Sequence, residues 1–307
     1  MKSLTIVGSL NMDLVVRAGH LPASGETILG RDFRTIPGGK GANQAVSAAR
    51  LGGKVQMVGR VGQDSNGEIL RSNLKAEGIV VDFVETDPAL PSGVALITLD
   101  EAGNNTIVVA SGANMAIAPQ DVSRAFGQIA SMDALVMQLE SPLDCVLAAA
   151  RLGRQRGACV VLNPAPARPL SVEIYQSIDV LVPNETETSL LTGLPVNTLE
   201  QAETAGRRLL ELGAGKVVLT LGSRGALAFE PGKDALHIPS HVVEVVDTTA
   251  AGDAFVAGLA VGLAEGMSLP DATRLGNAAG AVAVTRLGAQ PSMPTRQEVL
   301  QLLGRES

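Results

Sequence analysis

Short apolar runs rich in Val, Ile and Leu recur along the chain, with longer amphipathic stretches between them. Leu4–Val7, Val55–Val58, Ala134–Met137, Cys159–Leu162, Asp179–Val182 and Val217–Leu221 lack the apolar/polar alternation of a half-exposed strand. They are expected to be strands buried on both faces. Gly41–Leu51, Asn66–Glu77, Leu143–Arg156 and Leu199–Leu212 read as the helices between them. Such an alternation predicts an α/β fold with a doubly wound, mostly parallel sheet covered on both sides, a three-layer arrangement. In folds of this kind ligands bind beyond the carboxyl ends of the strands, so the loops after strands are where chemistry is sought.

One region breaks the rhythm. Gly93–Leu99 and Asn105–Ser111 are strand-like runs separated by Asp100-Glu101-Ala102-Gly103-Asn104, a hairpin signal. Leu14–Arg17 and Glu26–Thr35 also read as strands with no helix between them. The four predict a small antiparallel sheet inserted into the core as a lid. The expected division is 1–13, 38–89 and 113–307 for the core and 14–37 and 90–112 for the lid. The last third runs helix after helix, over Gly252–Glu265, Pro270–Thr285 and Thr295–Leu303. Ser268, Pro270 and Asp271 there supply a cap, a helix-starting proline and an acidic first turn.

Composition narrows the possibilities. At 307 residues the chain can bury a large core without disulfides, and with no Trp, one Tyr and five Phe that core must be aliphatic. A net charge of −7 argues against sequence-independent nucleic-acid binding, and the scarcity of rings argues against base stacking along an extended strand. Neither excludes a small anion, which backbone N–H groups can hold whatever the overall sign. Cys145 and Cys159 form no close-spaced motif, and no apolar stretch reaches the length of a membrane span. A reducing, cytoplasmic setting is expected.

The strongest local signal is Asp247-Thr248-Thr249-Ala250-Ala251-Gly252-Asp253, which follows the strand-like Val242–Val246 and opens a helix rich in Gly and Ala. Small residues at a helix start leave the backbone N–H groups open to an anion, and Asp253 beside them could take a proton from a hydroxyl aimed at a phosphate. An ordinary acidic first turn accounts for the run equally well. Pro37-Gly38-Gly39-Lys40-Gly41-Ala42-Asn43-Gln44 is neither a P-loop nor a dinucleotide fingerprint. Its glycines would let a ligand lie against the backbone, with Lys40 and Asn43 as donors, although alone a tight turn explains it better. Asn11 and Asp13 alternate after the first strand, so both could face one way toward a polyol, or simply form Asx turns. Pro183-Asn184-Glu185-Thr186-Glu187 could hold Mg²⁺ through its waters or cap a helix. Thr220-Leu221-Gly222-Ser223-Arg224-Gly225 could border a nucleotide or be only a turn. Gly213-Ala214-Gly215-Lys216 leads from a helix into a strand, the wrong order for phosphate, and His20, His237 and His241 lack ligand spacing.

Taken in order, these motifs resemble the ribokinase branch of the pfkB-type carbohydrate kinase family over nearly the whole chain. Met137-Gln138-Leu139-Glu140-Ser141-Pro142, Asn163-Pro164-Ala165-Pro166-Ala167 and Gly288-Ala289-Gln290-Pro291-Ser292 add to the likeness. The resemblance implies that Asn11, Asp13, Gly39, Lys40, Asn43 and Glu140 hold a sugar and that Asp253 is the base. Ala250, Ala251, Gly252 and Asp253 would form the anion hole. Asn184, Thr220, Gly222, Ser223, Gly225, Gly252 and Asn277 would border ATP, and Glu187 would help to position Mg²⁺. It further implies a monovalent cation, K⁺, near Asp247, Thr249, Ala283, Arg286, Gly288 and Ser292, and a homodimer formed through the lid. The wider family commonly has Gly where this chain has Ala250.

The implied activity is ATP-dependent phosphorylation of D-ribose at its 5-hydroxyl, giving ribose 5-phosphate and ADP. A kinase of 2-deoxyribose, a ketohexose or a nucleoside is the near alternative. A dehydrogenase is disfavoured because no Gly-x-Gly-x-x-Gly follows the first strand. A non-catalytic sugar-binding regulator is disfavoured by the presence of Asp253 with its small-residue loop.

Overall fold

The computed structural model describes residues 1–101 and 104–304. The chain begins β1 (Ser3–Val7), β2 (Asn11–Arg17), β3 (Asp32–Gly38), α1 (Lys40–Arg50), β4 (Lys54–Gly62), α2 (Ser65–Ala76) and β5 (Val80–Asp87). It continues β6 (Gly93–Leu99), β7 (Asn105–Ala110), α3 (Pro119–Gln128), β8 (Ala134–Met137), α4 (Leu143–Gln155), β9 (Cys159–Leu162), α5 (Val172–Gln176) and β10 (Val180–Leu181). It ends α6 (Glu185–Thr192), α7 (Leu199–Glu211), β11 (Lys216–Thr220), β12 (Ala226–Phe229), β13 (Leu236–Ile238), α8 (Ala251–Ala264), α9 (Leu269–Ala283) and α10 (Arg296–Leu303).

Nine strands form the main sheet in the order β13-β12-β11-β10-β9-β8-β1-β4-β5. From β11 to β5 the pairing is parallel, and β12 and β13 are antiparallel additions at one edge. Successive residues of a strand face opposite sides, and β8 shows the consequence. Its Ala134 and Val136 pack with α1, α8 and α9 on one face, whereas Leu135 and Met137 pack with α3, α4 and α7 on the other. A strand buried on both faces must be apolar throughout, which is the pattern the sequence shows. Helix starts follow the expected chemistry: the Asp64 carboxylate accepts from Gly67 N–H at 2.8 Å, and Ser268 Oγ accepts from Asp271 N–H at 3.3 Å.

Three expectations need correction. The small sheet, ordered β3-β2-β6-β7, is mixed rather than antiparallel, because β2 and β6 run parallel. They follow β1 and β5, which are parallel members of the main sheet, so both leave the same edge in the same direction. Only the returns, β3 and β7, are antiparallel to their neighbours. Second, the strand expected over Glu26–Thr35 is confined to Asp32–Gly38. Third, Val242–Val246 is not a strand; Val242 is fully exposed, and no neighbouring strand offers the segment a ladder. Part of the expected hairpin turn, residues 102 and 103, lies outside the described residues. No helix among the described residues is long and apolar enough to cross a membrane.

Candidate active site

The loops after β1, β8, β9, β10 and β11 and the start of α8 converge beyond the carboxyl ends of the sheet, where three cavities adjoin. The first, about 770 Å³, lies under the small sheet and is lined by Asn11, Asp13, Gly39, Lys40, Asn43, Glu140 and Asp253. All the residues singled out for a sugar are therefore brought together. Asn11 and Asp13 lie two apart on β2 and share its cavity face, as their alternation requires. Gly39 has φ +89, and a Cβ there would stand 2.6 Å from Asn11 N, so only glycine fits this turn between β3 and α1.

The polar side chains are fixed by partners. Glu140 Oε2 accepts from Ser9 Oγ and from Lys40 N–H, the latter at 3.2 Å. Asn11 Oδ1 accepts from Asn114 Nδ2 at 2.7 Å. Asn114 also bonds both backbone groups of Leu10. No motif pointed to Asn114, because its role depends on a contact made 103 positions along the chain. Ala95, Ile97, Ile107 and Val109 of β6 and β7, together with Arg168, also line the cavity and were missed. Burial, with Glu140 and Asp253 nearby, pushes Asp13 up to about 7. Burial pulls the Lys40 ammonium down, yet Asp253, Glu140 and Glu187 around it outweigh that and hold it above its ordinary value.

Asp253 sits in the first turn of α8, buried, with Asn43 Nδ2 donating to Oδ2 at 3.0 Å and Gln44 Nε2 donating to Oδ1 at 2.9 Å. Ala250, immediately before α8, has φ +58, the one positive φ outside glycine among the described residues. Ala251 N–H is spent on Thr248 C=O at 3.3 Å. The N–H groups of Gly252 and Asp253 have no acceptor among the described residues. A Cβ on Gly252 would meet nothing within 4 Å, so an anion can approach this helix start closely.

The second cavity, about 620 Å³, is lined by Asn184, Thr220, Gly222, Ser223, Gly225, Gly252 and Asn277, again the full set singled out for a nucleotide. Its apolar wall of Val243, Val245, Phe255 and Val284 was missed, and His241, set aside for lack of ligand spacing, borders it too. Asn277 Nδ2 bonds the carbonyls of Ile238 and Pro239, each at 3.1 Å, and so braces the cavity rim. The third cavity, about 230 Å³, is lined by Lys40, Asn163, Asn184, Glu187, Ala250, Gly252 and Asp253 and shares walls with both others.

Glu187 is engaged in a capping box: Oε2 accepts from Asn184 N–H at 2.8 Å and Oε1 from Asn184 Nδ2 at 2.9 Å. Burial is the main reason that its carboxyl stands above the ordinary value. Among the described residues no group of three His, Cys, Asp or Glu side chains could hold a metal ion. The donor set fits a divalent cation carried by phosphates and touched by Glu187 through water, and does not fit a chelate made by the protein. Asp247 ties two loops together, accepting from Thr249 N–H and Oγ (2.9 and 2.6 Å) and from Gly288 N–H (2.8 Å). Burial pushes its carboxyl up, but these bonds prevail and hold it below the usual range. Arg286 N–H bonds Ala283 C=O at 3.2 Å, and Ser292 Oγ donates to Ala289 C=O at 2.8 Å.

A family model described as pfkB family carbohydrate kinase matches residues 1–296. The chain belongs to that family. It is 44% identical over 303 residues to the ribokinase of Bacillus subtilis, covering 99% of this chain and 100% of the relative. It is 42% identical over 302 residues to the ribokinase of Haemophilus influenzae, covering 98% of each. Among solved structures, ribokinase of Arabidopsis thaliana complexed with ribose and ATP superimposes with a TM-score of 0.90 at 36% identity, covering 98% of each chain. For a carbohydrate kinase of the pfkB family, adjoining cavities with Asp253 on the wall common to the first and third are the arrangement that transfer between two bound substrates requires.

Proposed function

We infer that this pfkB-family kinase transfers the γ-phosphoryl group of ATP to the 5-hydroxyl of D-ribose, giving ribose 5-phosphate and ADP. The observation that carries the reading is the place of Asp253: it touches the sugar cavity and the small polar cavity, one residue from the open N–H of Gly252. The near-full-length likeness to two ribokinases gives the sugar its identity. Asn11, Asp13, Gly39, Lys40, Asn43 and Glu140 hold the sugar. Asn184, Thr220, Gly222, Ser223, Gly225 and Asn277 border the nucleotide.

In this mechanism Asp253 accepts the proton of the attacking hydroxyl. A weak base suffices because, in a loose transition state, the nucleophile's proton need not leave early. Of the run Ala250–Asp253 at the start of α8, the N–H groups of Gly252 and Asp253 are open to the charge that grows on the transferring group, whereas that of Ala251 is held by Thr248, and Lys40 adds a cation to the same cavity. Glu187 is the residue that would steady Mg²⁺ through its waters; when bound, the ion neutralises phosphate charge. Asp247, Thr249, Ala283, Arg286, Gly288 and Ser292 would hold K⁺, which adds positive charge behind the anion hole. Residues 14–37 and 90–112, which carry most of the small sheet, act as a lid on the core formed by 1–13, 38–89 and 113–307, and two lids pair in a homodimer. The setting is the cytoplasm.

A coupled ADP-release assay across ribose, 2-deoxyribose, fructose and adenosine, with and without potassium, tests these assignments. Ribose is expected to give the highest kcat/KM, with stimulation by potassium. A greater kcat/KM on another acceptor would leave the kinase and remove the sugar.

A further inference from the structure

Behind Asp253 lies a line of buried amides that borders none of the three cavities. Gln44, on the second turn of α1, donates from Nε2 to Asp253 Oδ1 at 2.9 Å and more weakly to Asn163 Oδ1 at 3.3 Å. Its Oε1 accepts from Gln138 Nε2, just after β8, at 2.5 Å. Both glutamines are fully buried, and neither lines a cavity, so neither can touch sugar or nucleotide. Asn43, which holds the other Asp253 oxygen, does line the sugar cavity and can exchange partners when a sugar binds.

The polarity of this line is fixed. An amide has one donor end and one acceptor end, and Gln138 occupies the acceptor end of Gln44. The nitrogen of Gln44 must then face Asp253. A carboxylate oxygen has room for two hydrogen bonds, so Oδ1 is anchored without losing its capacity to accept another proton. A purely space-filling role does not explain these residues. Gln138 Oε1 is left with no partner, a desolvation cost that an apolar side chain of the same length would avoid.

We propose that Gln44, backed by Gln138, is a positioning residue for phosphoryl transfer, setting the plane of the Asp253 carboxylate against the sugar hydroxyl. The inference rests on Asp253 as the proton acceptor. Acting chiefly through that group, with only a longer bond to Asn163, Gln44 affects the rate of the chemical step more than the binding of either substrate. Its loss tilts the carboxylate by a fraction of its own width, which is where transfer rates are most sensitive.

The test uses the full-length Q44M and Q138M enzymes, the double variant Q44M/D253N, and D253N itself. For Q44M, kcat is expected to fall about 10²-fold while KM for ribose and for ATP stays within about threefold. For Q138M, which loosens Gln44 without removing it, the expected loss is about three- to tenfold. In the D253N background Q44M should cause almost no further loss, because its target is gone. A structural role would instead give the same fractional loss in both backgrounds, which overturns the proposal, as does an unchanged kcat in Q44M. If Q44M fails to fold, Q138M decides: a loss of kcat at constant KM supports the relay, and a normal kcat overturns it. Normal turnover in D253N would overturn the base itself, a separate outcome.

Discussion

At the scale of single residues, two buried carboxylates close to one another do different things. Asp253 is gripped by two amide donors, which orient it without neutralising it. Replacing it with Asn keeps the size and the fold but presents the hydroxyl with a group that cannot take a proton. Turnover of D253N is expected to fall by about 10²–10⁴-fold with ribose binding retained, measured by ADP release and by titration calorimetry. Asp13 has no such donors and lies near Glu140 and Asp253, so burial and repulsion push it to about 7. A carboxyl raised on folding favours the protonated native state. Its ionisation therefore costs stability progressively as pH rises from about 4 toward 7. D13N should be more stable than the parent protein at pH 8, with the difference shrinking toward pH 4, as thermal melts across that range would show. An unchanging difference would mean that Asp13 is ionised throughout.

At the scale of elements, the start of one helix serves two purposes. Asn184 and Glu187 close α6 with a reciprocal capping box, yet Glu187 also lines the small cavity beside Asp253. The E187Q variant retains groups able to bond the Asn184 backbone, so the melting temperature should change little, by the equivalent of about 1 kcal/mol or less. The negative charge is lost, however. The Mg²⁺ concentration giving half-maximal activity should rise several-fold, and an unaltered Mg²⁺ dependence would restrict Glu187 to its capping role. The start of α8 shows the same economy. Its preceding residue, Ala250, takes a left-handed conformation that glycine adopts at no steric cost, so the backbone here is strained by its side chain.

At the scale of the whole molecule, the small sheet covers a cavity larger than a pentose requires. Ile107 and Val109 line that cavity and are nonetheless about half exposed, at 54% and 43%. Apolar side chains in that position favour further closure or cover by a second lid. I107D should raise KM for ribose about tenfold and weaken the proposed pairing of two lids, with kcat far less affected. Steady-state kinetics and sedimentation velocity would measure the two effects, and normal behaviour in both would remove the lid from substrate binding and assembly.

The sequence by itself determined the α/β class and the alternation of buried strands with helices. Both follow from local periodicity and burial on two faces, as in Leu135 and Val136 packing to opposite sides. It also drew attention to Asn11, Asp13, Gly39, Lys40, Asn43 and Asp253, because glycine, Asp and Asn at strand ends leave a local signature, whereas Glu140 and Asn277 came only from the family resemblance. Only the tertiary structure decided that β2 and β6 run parallel, since that depends on where β1 and β5 sit in the main sheet. Tertiary structure likewise denied Val242–Val246 its expected strand, and it recruited Asn114 to Asn11 and Gln44 and Gln138 to Asp253. Those amides are separated by about a hundred residues or more from what they hold or what backs them. No local pattern encodes such pairings; they arise only when the sheet brings the strand ends together.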